Sequence, residues 1–103
     1  MIRVIVQYGM PEDPAAFDAH YKDIHIPLAA KMPNMKSFEI SRGPVVSTDE
    51  ANPVYLTAIL SYDTNEEMEQ SMASDEGQAA VADVGNFASG GVTILTIDTE
   101  ELL

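Results

Sequence analysis

The chain has 103 residues, of which 46% are hydrophobic and 21% charged, enough for one core and ordinary for a globular protein; a single domain spanning residues 1–103 is expected. The net charge is −12, with all five basic residues at or before Arg42 and twelve acids after it; such a surface repels phosphate backbones and anionic membranes, so neither is an expected partner. The absence of cysteine excludes disulfides, thiolate metal sites and a thiol nucleophile, and makes the cytoplasm the default location.

Ile2 to Tyr8 alternates as a strand, with Ile2, Val4, Val6 and Tyr8 on one face. It lacks the basic flank and long apolar stretch of a signal peptide, and no later run reaches the ~18–20 apolar residues that cross a bilayer. Asp13-Pro14 starts a helix, with a capping acid followed by proline at the first helical position. Phe17, Tyr21, Ile24 and Leu28 then share one helical face. Pro27 disfavours helical geometry at Ile26, so a kink or break is expected there. Asn34 suits a left-handed turn. A second strand covers roughly Met35 to Arg42, and a third, Val54 to Tyr62, is the clearest in the chain. Thr64-Asn65-Glu66-Glu67 reads as a capping box, with Glu67 reaching back to the Thr64 amide. Met68 and Met72 face inward from the helix it opens. Ser74-Asp75 starts a further helical stretch through Phe87, with Ala80, Val84 and Phe87 at core spacing. Gly90-Gly91 turns into a last strand, Val92 to Asp98.

This order predicts an α+β fold: a ferredoxin-like βαββαβ sandwich, a four-stranded antiparallel sheet in the order 4-1-3-2 with two helices on one face. The face without helices still carries Ile5, Tyr55, Ile59, Leu95 and Ile97. An apolar face of this kind calls for a cover, and the simplest cover is the same face of a second copy, giving a homodimer with two sheets packed as a barrel.

Chemistry-bearing residues are few. His20 and His25 are the only histidines. On an α-helix a five-residue gap sets them about 140° apart, on opposite flanks of the apolar stripe, so no metal site is expected. His25, one turn after Tyr21 and just before Pro27, is the candidate catalytic residue, an imidazole able to move protons near neutral pH. Capping a broken helix is the other role open to it. Tyr8 and Tyr62, at strand ends, and Tyr21 are candidates for binding a substrate through their hydroxyls, although core packing also accounts for them. Arg42 offers an anion contact or a surface ion pair. No phosphate loop, nucleophile elbow or dinucleotide fingerprint occurs.

Phe17-x-x-x-Tyr21-x-x-x-His25-x-Pro27, the Met32-Pro33-Asn34 turn, Ala73-Ser74-Asp75-Glu76-Gly77-Gln78 and Asp83-x-x-Asn86-Phe87 together resemble the EthD family. Asn34 stands where a glycine is common in that family, and it tolerates the same backbone region. The family takes its name from a gene cluster for degrading an ether fuel additive. The resemblance implies a dimeric α+β barrel, no tightly bound cofactor, and a small apolar pocket between sheet and helices. Of the candidate residues only His25 maps onto the family's histidine. Members are often named oxidoreductases, and related barrels include cofactor-independent monooxygenases and isomerases. Two functions follow. One is a cofactor-independent enzyme acting on a small apolar oxygenated or aromatic compound, with His25 shuttling a proton and Tyr21 positioning an oxygen. The other is a non-catalytic ligand-binding accessory of a catabolic oxygenase.

Overall fold

Branched and small apolar side chains alternating along Val54–Tyr62 give the central strand, β3, and the rest of the chain is laid out around it in a computed structural model describing residues 1–103. The order is β1 (Ile2–Gly9), α1 (Pro14–His20), a π-helical turn (Tyr21–His25), α2 (Ile26–Ala29), β2 (Ser37–Ile40), β3 (Val54–Tyr62), α3 (Asn65–Ala73), α4 (Asp75–Val84) and β4 (Val92–Asp98). The strands form one antiparallel sheet in the order β2-β3-β1-β4, the expected 4-1-3-2 read from the other edge. The molecule measures 36 × 34 × 18 Å, the thickness of one sheet under one layer of helices.

Register decides which residues face the helices. Val4 pairs with Leu60 and Thr96, and Val6 with Ala58 and Ile94. Partners across an antiparallel ladder share a face, so these look toward the helix layer. Arg3, Ile5 and Gln7 look away, with Ile5 opposite both Ile59 and Leu95. The β2 ladder is shorter than expected, but amide bonds from Lys36 to the Ser61 carbonyl and from Ser41 to the Thr57 carbonyl prolong its contact with β3 at both ends.

Local signals act where they were expected. The Asp13 side chain accepts from the Ala16 amide, Thr64 from Glu67, and Ser74 from Gly77. Only half of the capping box at Thr64 forms, because Glu67 Oε2 is buried without a hydrogen-bond partner and does not reach the Thr64 amide. Ser74 closes α3 and opens α4 at a tight corner, where a Cβ on Gly77 would collide with the Ser71 carbonyl. Asn34 adopts φ 66°, and its side-chain amide donates to the Glu67 carbonyl and to Gln70. The last helix stops at Val84, and a turn carries Phe87 into the core.

Of the kink or break expected at Ile26-Pro27, the break does not occur, and a last helical turn follows, Ile26–Ala29. Ile26 is helical at φ −56°, ψ −47°, and its amide bonds to the Tyr21 carbonyl, five residues back. The turn before the proline has widened instead, and one extra residue is absorbed. This shift moves the inward face. Phe17 and Tyr21 point in as predicted, but Ile24 is 47% exposed, and His25, Ala29 and Met32 take the buried positions. No helix is long and apolar enough to cross a membrane.

Candidate functional site

Two apolar clusters fill the space between sheet and helices. One is mainly aliphatic, built on Ile2, Val4, Ala29, Met32, Ala58 and Leu60. The other is aromatic: Tyr8 from β1, Phe17 from α1, Tyr21 from the π-turn and Phe87 after α4. Tyr8 meets Phe17 edge-on at 5.5 Å and Tyr21 at 5.6 Å, while Phe17 stacks on Tyr21 at 5.7 Å. A cavity of about 290 Å³ opens between the clusters. Met68, Met72 and Leu60 contribute to its apolar wall, Ile94 and Thr96 of β4 line it too, and Tyr8, Tyr21 and His25 give it a polar corner. No strand or helix covers β4 on either face, so Ile94, facing this cavity, stays 56% exposed.

The π-turn brings together what an α-helix would separate. Residues five apart lie one above the other when hydrogen bonds span five residues, so His20 and His25 share a face rather than flanking it. Both reach Asp83 on α4. His20 Nε2 lies 2.8 Å from Oδ1 and 3.1 Å from Oδ2, and His25 Nδ1 lies 3.0 Å from Oδ2. The Asn86 amide donates to Oδ1 at 3.0 Å. In the sequence Asp83 stands only as part of the Asp83-x-x-Asn86-Phe87 motif, with no role of its own. Its i, i+3 spacing from Asn86 was the available signal for a braced carboxylate.

Electrostatics follow from this packing. Burial works against the Asp83 carboxylate, but hydrogen bonds from Asn86, His20 and His25 outweigh it and hold the carboxyl below its ordinary range. Burial lowers the His25 imidazole, and Asp83 only partly offsets this. At neutral pH His25 is therefore uncharged beside an ionised acid. Its Nδ1–H must then donate to Asp83, which leaves Nε2 as the basic nitrogen. Burial pushes the Tyr8 hydroxyl up to about 12 and raises the Tyr21 hydroxyl as well, so both remain protonated donors. Tyr21 Oη is buried and meets no group with good hydrogen-bond geometry, an unusual state for a polar atom in an interior, although the Tyr8 hydroxyl stands close enough to couple to it.

Of the residues singled out in the sequence, His25, Tyr21 and Tyr8 meet at this corner. Tyr62 does not: it is fully buried in the aliphatic cluster, and its hydroxyl shares a 2.9 Å hydrogen bond with Ser71 Oγ. That bond with α3 takes up the group that a ligand would need. Arg42 is exposed at the far end of β2 and joins none of the ion pairs. No group of three or more His, Asp and Glu side chains is arranged to hold a metal ion.

The EthD domain family model matches residues 10–91. The chain is 47% identical over 104 residues to an uncharacterized 11.0 kDa protein in the thcB-thcC intergenic region of Rhodococcus erythropolis, covering 100% of this chain and 99% of that one. It superposes on an ethyl tert-butyl ether d (EthD) family protein from Bacillus halodurans with a TM-score of 0.86 at 31% identity, covering 97% of this chain and 99% of that one. A dimeric ferredoxin-like protein from Thermobifida fusca matches with a TM-score of 0.69 at 13% identity, over 95% of this chain and 90% of that one. SnoaB, a cofactor-independent oxygenase from Streptomyces nogalater, matches with a TM-score of 0.69 at 12% identity, over 99% and 95%. At their low identities the last two show a common fold.

Proposed function

The chain belongs to the EthD family, and from that premise we propose that it is a cofactor-independent enzyme acting on a small, mostly apolar molecule bearing one hydroxyl or carbonyl oxygen. The observation that carries this reading is the pairing, at one corner of an apolar cavity, of an aspartate-oriented imidazole with a buried hydroxyl that makes no well-formed hydrogen bond. The Tyr21 hydroxyl donates to the ligand oxygen. His25 Nε2 takes a proton from the ligand, either from that hydroxyl or from the carbon beside a carbonyl. The electron pair left behind becomes a phenolate or enolate, whose oxygen the Tyr21 hydroxyl stabilises. Returning the proton at another carbon completes an isomerisation. An oxygenation, the type of reaction named for SnoaB, takes dioxygen as a second substrate at the same anion. No lysine or arginine lines the cavity, which favours ligands that enter neutral.

The experiment is proton exchange in heavy water with a panel of small enolisable ketones and phenols, followed by NMR. Binding is read separately by calorimetry. The wild-type chain is expected to accelerate carbon-proton exchange of a ketone that it binds. His25→Gln is expected to lose that rate by about 10²–10⁴-fold while keeping the ligand. Binding without exchange in the wild type, or equal rates in both proteins, would favour the non-catalytic ligand carrier.

The same reading includes a homodimer through the outer sheet face. The ladder register sets Leu95, Ile5 and Ile59 in one row across three strands, and Leu95 and Ile97 are 44% and 41% exposed. A second copy covers that row, as the dimeric state named for the Thermobifida fusca neighbour would suggest. Sedimentation at micromolar concentration is expected to give twice the chain mass of 11.2 kDa; a monomer there contradicts the interface.

A further inference from the structure

Asp83 is one carboxylate held by two imidazoles, and the two stand in different surroundings. His25 and Asp83 are each 7% exposed in their side chains, whereas His20 is 28% exposed. His25 borders the cavity, and His20 borders a surface cleft that also contains Glu12, Asp13 and Ser89. Asp83 Oδ2 lies within 3.1 Å of a nitrogen of each ring. Around the pair stand Tyr8 from β1, Tyr21 from the π-turn, and Asn86 and Phe87 from the turn after α4. Asp83 is thus the one carboxylate hydrogen-bonded to both imidazoles.

We propose that His20 is a positioning residue that acts through Asp83 to keep His25 in its proton-accepting form. A first proton entering the cluster forms an ion pair with Asp83. A second proton meets a carboxylate whose charge is already matched, and a cation beside it. A charge on the His20 ring is hydrated, because water reaches it, while the same charge on His25 would stand in an apolar surround. A charge on the solvent-side ring, matched by Asp83, therefore opposes a second charge at the cavity and keeps the base there neutral. The functional meaning of this device rests on the role proposed above for His25; the coupling itself needs no ligand.

The chain has only two histidines, so NMR titration of the two imidazole Cε1–H signals tests the idea directly, and each signal is assigned by its loss in H20Q or H25Q. Glutamine at position 20 keeps a side-chain N–H for Asp83 but binds no proton. In H20Q the His25 midpoint is expected to rise by about 0.5–1 unit. An unchanged midpoint in an H20Q protein with a native amide spectrum overturns the proposal. So does an equal rise when His20→Gln is placed in an Asp83→Asn background, since the route would then bypass the carboxylate. Should H20Q fail to fold, the wild-type curve decides: the His25 signal must show a second inflection at the His20 midpoint, and a single smooth curve refutes the coupling. Because the titration uses the free protein, coupling without proton exchange would sink only the catalytic reading, and exchange without coupling only this one.

Discussion

Tyr62 and Tyr21 are both buried between sheet and helices, yet their hydroxyls meet opposite conditions. Tyr62 Oη and Ser71 Oγ satisfy each other at 2.9 Å, inside the aliphatic cluster. Tyr21 Oη, inside the aromatic cluster, has only the neighbouring Tyr8 hydroxyl beside it and makes no well-formed hydrogen bond. An interior polar group without a partner carries a desolvation cost that folding does not recover. The aliphatic end of the layer is built to be stable. The aromatic end keeps a donor in reserve, and with it the oriented imidazole of His25.

Removing one hydroxyl from each end tests that contrast. Tyr62→Phe strands Ser71 Oγ and is expected to cost about 1–3 kcal/mol of unfolding free energy, read from urea denaturation. Tyr21→Phe removes a group that makes no well-formed hydrogen bond in the free protein, so stability should stay within about 0.5 kcal/mol of wild type or rise. Its effect belongs instead to ligand affinity. If both variants lose the same stability, the two ends do not differ in the way described.

A smaller effect sharpens the same comparison through pH. Burial lowers the folded-state pKa of His25 below its ordinary 6.5, so just below that pH the unfolded chain binds more protons than the folded one. Stability then falls as the solution is acidified through this range. Asp83, held below its ordinary 3.8, contributes stability that is present in full above that value and lost as pH falls through the folded-state pKa, a second leg of the same sign. Melting temperatures from pH 7.5 downward should show the His25 leg first. His25→Gln should flatten that leg and leave the one below it.

Much of the fold was legible because its signals are local. Caps at Asp13, Thr64 and Ser74, the left-handed Asn34 and the alternation in β3 each depend on neighbours within a few residues. Strand order followed from the handedness of crossovers. The site was harder to read. His25 and Tyr21 stood out by residue type, but Asp83 lies 58 residues from His25, and nothing local ties them. The π-turn was missed because Ile24 and Leu28 fit an α-helical stripe. A better clue was the strict four-residue spacing of Phe17, Tyr21, His25 and Ala29, all of them buried. That spacing drifts steadily around a helix of 3.6 residues per turn, so it holds one face only if a turn is widened.

That widened turn sets the phase of everything after it. Residues up to Tyr21 follow one helical clock, and residues from His25 onward follow another, offset by a single step. A related chain shorter by one residue between positions 21 and 25 would keep its strands, its caps and nearly all its apolar content. Each side chain beyond the gap would turn by about 100°, carrying the imidazole away from Asp83 and toward water. Loop length and composition would hardly register the change. Among relatives, the count of residues across this one turn therefore separates chains that can hold the histidine–aspartate corner from chains that keep only the scaffold.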